Sequence, residues 1–356
     1  MYSFASIIDQ NRPVSILTAL LNKKTIPHAL LFTGIEGIGK KSAAVTFAMA
    51  ANCTVRGSQG SPVNATDPAE ADWPDTFDPC CQCRACRKII SGIHPDIIHI
   101  KPTGKTIRIA QIRNLCDTLA MRPYEANLRV VIIADAQAMN PSAGNALLKM
   151  LEEPPDRSIL ILTASQTTDL LPTIVSRCRH IRFNPVSRKS IAARLSADTD
   201  VTPEDALIIA GLANGSLTRA IEIDRSGWIR QRDWLLAAAG LDRPEALSSR
   251  STGLLLAFAE YLATNKNLTA DRLSAMITWM RDIIVCRYAP DRVINIDMID
   301  RLREISRKIS VKSLTAKIEA VQTAQKNIDA NSNLRLTLEA MMLRLAKDCD
   351  MGLGKQ

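Results

Sequence analysis

Residues 34–42 read GIEGIGKKS, which fits the phosphate-loop pattern G-x-x-x-x-G-K-[ST] at every position but the last. Gly34, Gly39 and Lys40 stand where the pattern wants them, and Gly37 adds a third glycine. Lys41 replaces the hydroxyl that ligates magnesium, and Ser42 comes one residue late. Glycines let backbone N–H groups converge on phosphate oxygens at a helix N-terminus, and the lysine supplies a cation. A second nucleotide element is expected where a later strand ends. RVVIIADAQAM (129–139) offers one acid there, Asp135, with Ala134 where a metal-side acid would stand. A lone acid ending a strand also serves as a helix cap. Both departures fall on magnesium, which offsets charge developing during phosphoryl transfer. The pattern predicts a nucleotide-binding fold that hydrolyses slowly or not at all.

The cysteines form the second constellation. Cys80, Cys83 and Cys86 are spaced C-x2-C-x2-C, and Cys53 lies upstream. Four thiolates complete a tetrahedral structural zinc site and leave no open position for catalysis. No Cys-Pro follows, which disfavours an iron–sulfur cluster. Cys81 falls inside the knuckle and is expected to point away. Cys116, Cys286 and Cys349 read as small core residues, and His28 and His94 as packing or capping residues.

Strands and helices must position these groups. HALLFTG (28–34), DIIHIK (96–101), RVVIIAD (129–135) and SILILTA (158–164) alternate with helical patterns, which predicts a doubly wound α/β domain. Strand, glycine loop and the helix SAAVTFAMAAN follow one another as a phosphate loop requires. Residues 54–79 carry four prolines and read as a spacer without chemistry. After about 186 the chain reads as helical. Leu273, Met276, Ile277, Met280, Ile283 and Ile284 share one helix face, and Leu334, Leu338, Met341 and Leu345 another.

Composition narrows the classes. The chain has 356 residues, 46% hydrophobic and 23% charged, as an ordinary globular protein of two or three domains has. Aromatic residues make up 4%, so the cores rest on Leu, Ile, Ala and Met. No apolar run reaches a membrane span, and the N-terminus has no secretion signal, so the expected location is cytoplasmic with no membrane partner. The formal net charge of +9 suits acidic partners such as nucleic acid and suits solubility equally.

HALLFTGIEGIGKKS, the PCCQCRACRKI knuckle, NALLKMLEEPP (145–155), TIVSRCRHIRF (173–183) and NLRLTLEAMMLRL (333–345) together resemble the clamp-loader branch of AAA+ proteins. The resemblance implies an N-terminal P-loop AAA+ domain with a zinc-binding insertion (1–185, knuckle 53–86). A small helical lid (186–243) and an all-α collar (244–356) follow. It implies a five-membered ring with gamma/tau and delta subunits that loads a sliding clamp onto primed DNA. It also implies that Arg177, in SRC, reaches in trans to ATP held by a neighbour. Where hydrolysing members carry a nucleotide-sensing arginine in GSLR, GSLTR here puts Thr218, with Arg219 one later; the sensing position on the fourth strand is Ser165. Gly34, Gly37, Gly39, Lys40, Ser42 and Asp135 thus make a degenerate site in which ATP binding without turnover stays open.

Two other functions compete. A gamma/tau-type ATPase subunit would want Thr after Lys40, two acids after Ile133 and Arg at 218. A free zinc-containing DNA-binding module would want a basic recognition helix and exposed aromatics.

Overall fold

Three runs rich in leucine and β-branched residues form the middle of a five-stranded parallel sheet. The computed structural model describes residues 2–23, 25–55, 78–241 and 251–347. The strands are β1 (Ala29–Thr33), β2 (Ile97–Ile100), β3 (Arg129–Ile133), β4 (Ser158–Ala164) and β5 (Arg179–Arg182). Their spatial order is β2-β3-β4-β1-β5, and every neighbouring pair is parallel. All residues of β1, β3 and β4 are buried, while the edge strands β2 and β5 each bury a single one. That difference is what helices on both faces of a sheet's centre impose. β5 reads RHIR and is not among the strands that the apolar pattern predicts; its backbone ladder to Leu30–Thr33 makes it a strand.

The described chain forms two compact units, Met1–Ser190 with Gly215–Thr218, and Ile191–Asn214 with Arg219–Gln356. Most of the 54–79 spacer, the expected boundary at 243/244 and Cys349 lie outside the described residues. In the first unit, Leu31, Val131, Ile133, Leu160 and Leu162 of the sheet pack against Ile112, Leu115, Leu147 and Leu151. The helix Pro141–Glu152 holds the last two. Asn140 caps it by accepting the Ala143 N–H at 2.8 Å, and Pro141 opens its first turn.

Beside β2 and β3 the first unit buries an ion pair. Asp96 accepts the N–H groups of Tyr124, Glu125 and Ala126 at 2.8–2.9 Å and faces Arg129 at 3.2 Å. The Arg129 guanidinium in turn donates to the carbonyls of Thr118, Met121 and Arg122. The loop is held firmly, while Met121 and Tyr124 stay exposed on it. Burial pushes the Asp96 carboxyl up, but the three N–H groups and Arg129 outweigh it and hold it below its ordinary value. A depressed carboxyl contributes stability above its unfolded pKa, about 3.9, and loses it as pH falls through the folded value. Asp96→Asn should therefore cost about 3–5 kcal/mol at neutral pH by stranding Arg129. The gap to wild type should narrow below about pH 4. Urea midpoints at both pH values check this, and an unchanged neutral midpoint would refute it.

The second unit is helical. Thr252–Ala263 packs on Leu334–Lys347, and Lys266–Tyr288 packs on Val311–Asp329. Leu273, Met276, Met280 and Ile283 of the first stripe are buried, as are Leu338, Met341 and Leu345 of the second. Trp279 is buried beside the first stripe and donates from Nε1 to the Leu241 carbonyl at 3.0 Å. Among the described residues, no helix is long and apolar enough to cross a membrane.

Candidate functional site

The glycine loop leaves β1 at Thr33 and enters the helix Lys40–Asn52, with Gly39 as its left-handed N-cap. Gly34 has φ +143°, and a Cβ there would lie 2.5 Å from Ile38 Cδ1 and 2.6 Å from the Phe183 carbonyl. Gly37 has φ +77°, and its Cβ would strike Ser216 Oγ at 2.2 Å. Both positions need glycine on two counts, conformation and space.

Beside the loop opens a cavity of about 390 Å³ within the first unit. Gly37, Ile38, Gly39, Ser42 and Thr46 form one side of it. Thr218 lines it too, and the Thr218 N–H donates to the Gly37 carbonyl at 3.3 Å. Arg219 instead lines a separate cavity of the second unit, 3.4 Å from Asp271. Val186 and Leu217 line it as well, and a further wall, Tyr2, Ser6, Ile7 and Ile8, comes from the N-terminal segment. The sequence pattern does not reveal that wall, because FASII carries no motif.

Lys40 is buried and folds back on its own loop, donating from Nζ to the Ile35 carbonyl at 2.7 Å and to that of Gly34. Burial lowers its pKa, while Asp135 and Glu36 act in the opposite sense. Desolvation and neighbouring Lys101 lower that of Lys41, again against Asp135. The structure thus sets Asp135 in the field of both lysines, with Glu36 acting on Lys40 as well. Asp135 is exposed, in left-handed backbone at φ 52°, and its N–H donates to Thr163 Oγ1 at 3.1 Å. Ala134, buried at the end of the strand, brings no oxygen.

The four cysteines of the knuckle converge. The Sγ atoms of Cys53, Cys80, Cys83 and Cys86 lie within 4.8 Å of one another. Cys53 ends the helix Lys40–Asn52, while Cys83 caps the helix Arg84–Ile90 that carries Cys86. The N–H of Cys83 donates to Cys80 Sγ at 3.3 Å, and that of Cys86 to Cys83 Sγ at 3.4 Å. Burial raises the Cys83 thiol, but N–H groups of Cys86 and Thr54 and the Thr54 hydroxyl outweigh it, bringing it to about 6. Burial and the Cys83 and Cys53 sulfurs push Cys86 up. A tetrahedral ion with metal–sulfur bonds of about 2.3 Å needs sulfurs about 3.8 Å apart. The Cys80–Cys86 separation is 4.0 Å, so the set fits a metal ion. Cys81 is no part of it: its thiol donates to the Tyr2 carbonyl at 3.2 Å.

Arg177 sits in the turn between the short helix Pro172–Val175 and β5. Its neighbours Ile174 and Cys178 pack into the core, which turns the guanidinium outward. It donates to Glu152 Oε1 at 2.8 Å and to the Thr173 carbonyl at 3.1 Å. The pair is open to solvent, with 36% of the Arg177 side chain and 52% of the Glu152 side chain exposed. Glu152, the first acid of LEEPP, is a partner that sequence spacing does not reveal.

The profile of the family described as DNA polymerase III, delta subunit, matches residues 9–187, and its C-terminal counterpart matches 245–347. The chain belongs to that family. A DNA polymerase III delta-prime subunit of Bacillus subtilis is 28% identical over 340 residues, 94% of this chain and 96% of that one. The tau subunit of the same organism is 27% identical over 97% of this chain, which spans 61% of tau's length. A solved gamma subunit-related protein of Thermotoga maritima aligns over 93% of this chain and 99% of its own, at 19% identity and a TM-score of 0.48. The chain's homologues are thus the delta-prime, tau and gamma subunits of the clamp-loader family, and the delta-prime match spans nearly all of both chains.

Proposed function

We propose that this chain is a delta-prime-type structural subunit of the DNA polymerase III clamp loader. In this reading it joins gamma/tau and delta subunits in a five-membered ring that loads a sliding clamp onto primed DNA. Residues 1–185 act as the AAA+ domain, 186–243 as the lid and 244–356 as the collar. Arg177 serves as an arginine finger towards ATP held by the adjacent subunit. Zinc at Cys53, Cys80, Cys83 and Cys86 is structural: when bound it cross-links the end of the helix Lys40–Asn52 to the knuckle.

The observation that carries the reading is the charge at the glycine loop. Lys40 and Lys41 both lie in the field of Asp135, and Ala134 supplies no further acid. Two ammonium groups beside Asp135 and Glu36 offset the charge of those acids, and Lys41 offers no oxygen ligand, so a divalent cation, which hydrolysis needs, is held poorly. Gly37, Gly39 and Ser42 still line a cavity into which a nucleotide phosphate fits, and in this reading Gly34, Lys40 and Asp135 complete the degenerate site, so binding and turnover come apart. The chain should bind ADP as well without magnesium as with it.

The purified chain should show no ATPase above background. Lys41→Thr with Ala134→Asp should improve binding of the magnesium–nucleotide complex without necessarily restoring hydrolysis. A wild-type turnover near about 1 s⁻¹, in the usual enzyme range, would instead make the chain a gamma/tau-type motor. Mixing it with gamma/tau and delta subunits and weighing the product tests the ring directly. Failure to enter a complex of defined stoichiometry would sink the proposal.

A further inference from the structure

The N-terminal segment that walls the glycine-loop cavity is tied at its start to the cysteine knuckle. Asp78 accepts the Phe4 N–H and the Ser3 hydroxyl, both at 2.5 Å. Cys81, which takes no part in the four-cysteine cluster, donates its thiol to the Tyr2 carbonyl at 3.2 Å. Three hydrogen bonds therefore join residues 78–81 to residues 2–4, and Phe4 is buried beside them. The far end of the segment is fastened elsewhere. Gln10 exchanges two hydrogen bonds with the Asn184 backbone, and Asp9 accepts from Ser187 and Ser190. Between the two anchors lie Ser6, Ile7 and Ile8, which with Tyr2 line the cavity together with Gly39, Ser42 and Thr46; a Cβ at Gly39 would lie 3.5 Å from Ile7 Cγ2. Only the anchor at residues 78–81 depends on the knuckle.

We infer that Asp78 and Cys81 are positioning residues that hold Tyr2–Ile8 against the glycine loop, so that the order of the cysteine cluster is coupled to closure of the nucleotide cavity. Cys80 and Cys83 flank Cys81, so fixing those two sulfurs on one ion fixes the backbone from which Asp78 and Cys81 reach the segment. The wall is apolar at Ile7 and Ile8 and carries a ring at Tyr2, a surface suited to a nucleobase. The glycine loop and Ser42 bring the helix N-terminus and a hydroxyl suited to phosphate. Releasing the segment exposes one side of the cavity and leaves the phosphate side in place. This inference rests on the nucleotide reading of the cavity, but the tether itself does not.

The test uses the full chain and two readouts. Asp78→Ala keeps all four sulfurs, and the metal content per chain should equal that of wild type. Amide hydrogen exchange should rise in residues 2–8 and in the facing loop 36–42, by about tenfold, the scale of losing a charge-assisted hydrogen bond. Affinity for ADP, measured by calorimetry without magnesium, should fall by about fivefold or more, the lower end of ordinary coupling between sites. Asp78→Asn keeps an acceptor for the Phe4 N–H and should be intermediate, which guards against reading a folding defect as release. Stripping the metal from wild type with a chelator should reproduce the exchange changes of Asp78→Ala. Unchanged exchange in 2–8 overturns the tether. Faster exchange in 2–8 with an unaltered loop 36–42 and unaltered ADP affinity overturns the coupling. If the wild type binds no ADP, the nucleotide reading fails, and the exchange of loop 36–42 alone decides the coupling.

Discussion

Arg177→Ala should leave the chain folded, its metal content intact and its place in the ring kept, while DNA-stimulated ATP turnover of the ring falls by about tenfold or more. A guanidinium is always charged and bonds two phosphate oxygens at once, which suits it to the charge that develops in transfer. A single arginine finger is worth about 10³–10⁵ in rate, and a ring with several fingers loses less by removal of one. The effect should fall on kcat more than on KM for ATP, because the contact strengthens in the transition state. Arg177→Lys should rescue little. The competing account is that Arg177 serves its own unit by pairing with Glu152. An exposed pair of this kind contributes about 0–1 kcal/mol, so it is a weak reason for the residue and a weak obstacle to its leaving. Steady-state phosphate release by the assembled ring decides between the two. Unchanged turnover per ring, with a lowered melting temperature of the isolated chain, would give the residue to Glu152.

The parts of the molecule that announce themselves in the sequence are those where one local rule governs several residues together. β1, β3 and β4 are near-continuous apolar runs because both faces of each are covered, and the polar residues they bury, such as Arg129 and Thr163, find hydrogen-bond partners. The glycine loop is legible because Gly34 and Gly37 occupy backbone and space that a side chain cannot. Cys80, Cys83 and Cys86 converge as their spacing requires, since C-x2-C turns each sulfur back towards the last, and the fold adds Cys53 from the end of the helix Lys40–Asn52. β5 stays hidden because an edge strand such as RHIR is defined by its backbone partner Leu30–Thr33 and not by its side chains. The wall formed by Tyr2–Ile8 is hidden for a related reason. Phe4 reaches Asp78 and, at the far anchor, Gln10 reaches Asn184, pairs 74 and 174 residues apart, and no periodicity spans such separations. Sequence spacing puts Arg219 one step from the sensing position; the fold turns that step into a different cavity, beside Asp271.

Removing the metal should be the most damaging change to the first unit short of unfolding it. Protein purified under reducing conditions should carry one zinc per chain by elemental analysis. Structural zinc in small cysteine sites contributes about 10–16 kcal/mol of apparent binding energy at neutral pH, as much as or more than the whole stability of a typical domain. Cys83→Ser should lose the ion, because a serine hydroxyl stays protonated and is a poor ligand where a thiolate is needed. Cys81→Ser should keep it, because the Cys81 thiol faces the Tyr2 carbonyl and not the cluster. The damage should begin locally. The helix Arg84–Ile90 has only seven residues and is capped by Cys83, so it has little stability apart from the cluster. The sheet core of Leu31, Val131, Ile133 and Leu162 should survive to a higher denaturant concentration. Circular dichroism and proteolysis of the chelated protein should therefore report a small early transition before the main one. A metal-free preparation that melts in the same single step, with Cys83→Ser indistinguishable from wild type, would mean that the four sulfurs lie close together without holding anything.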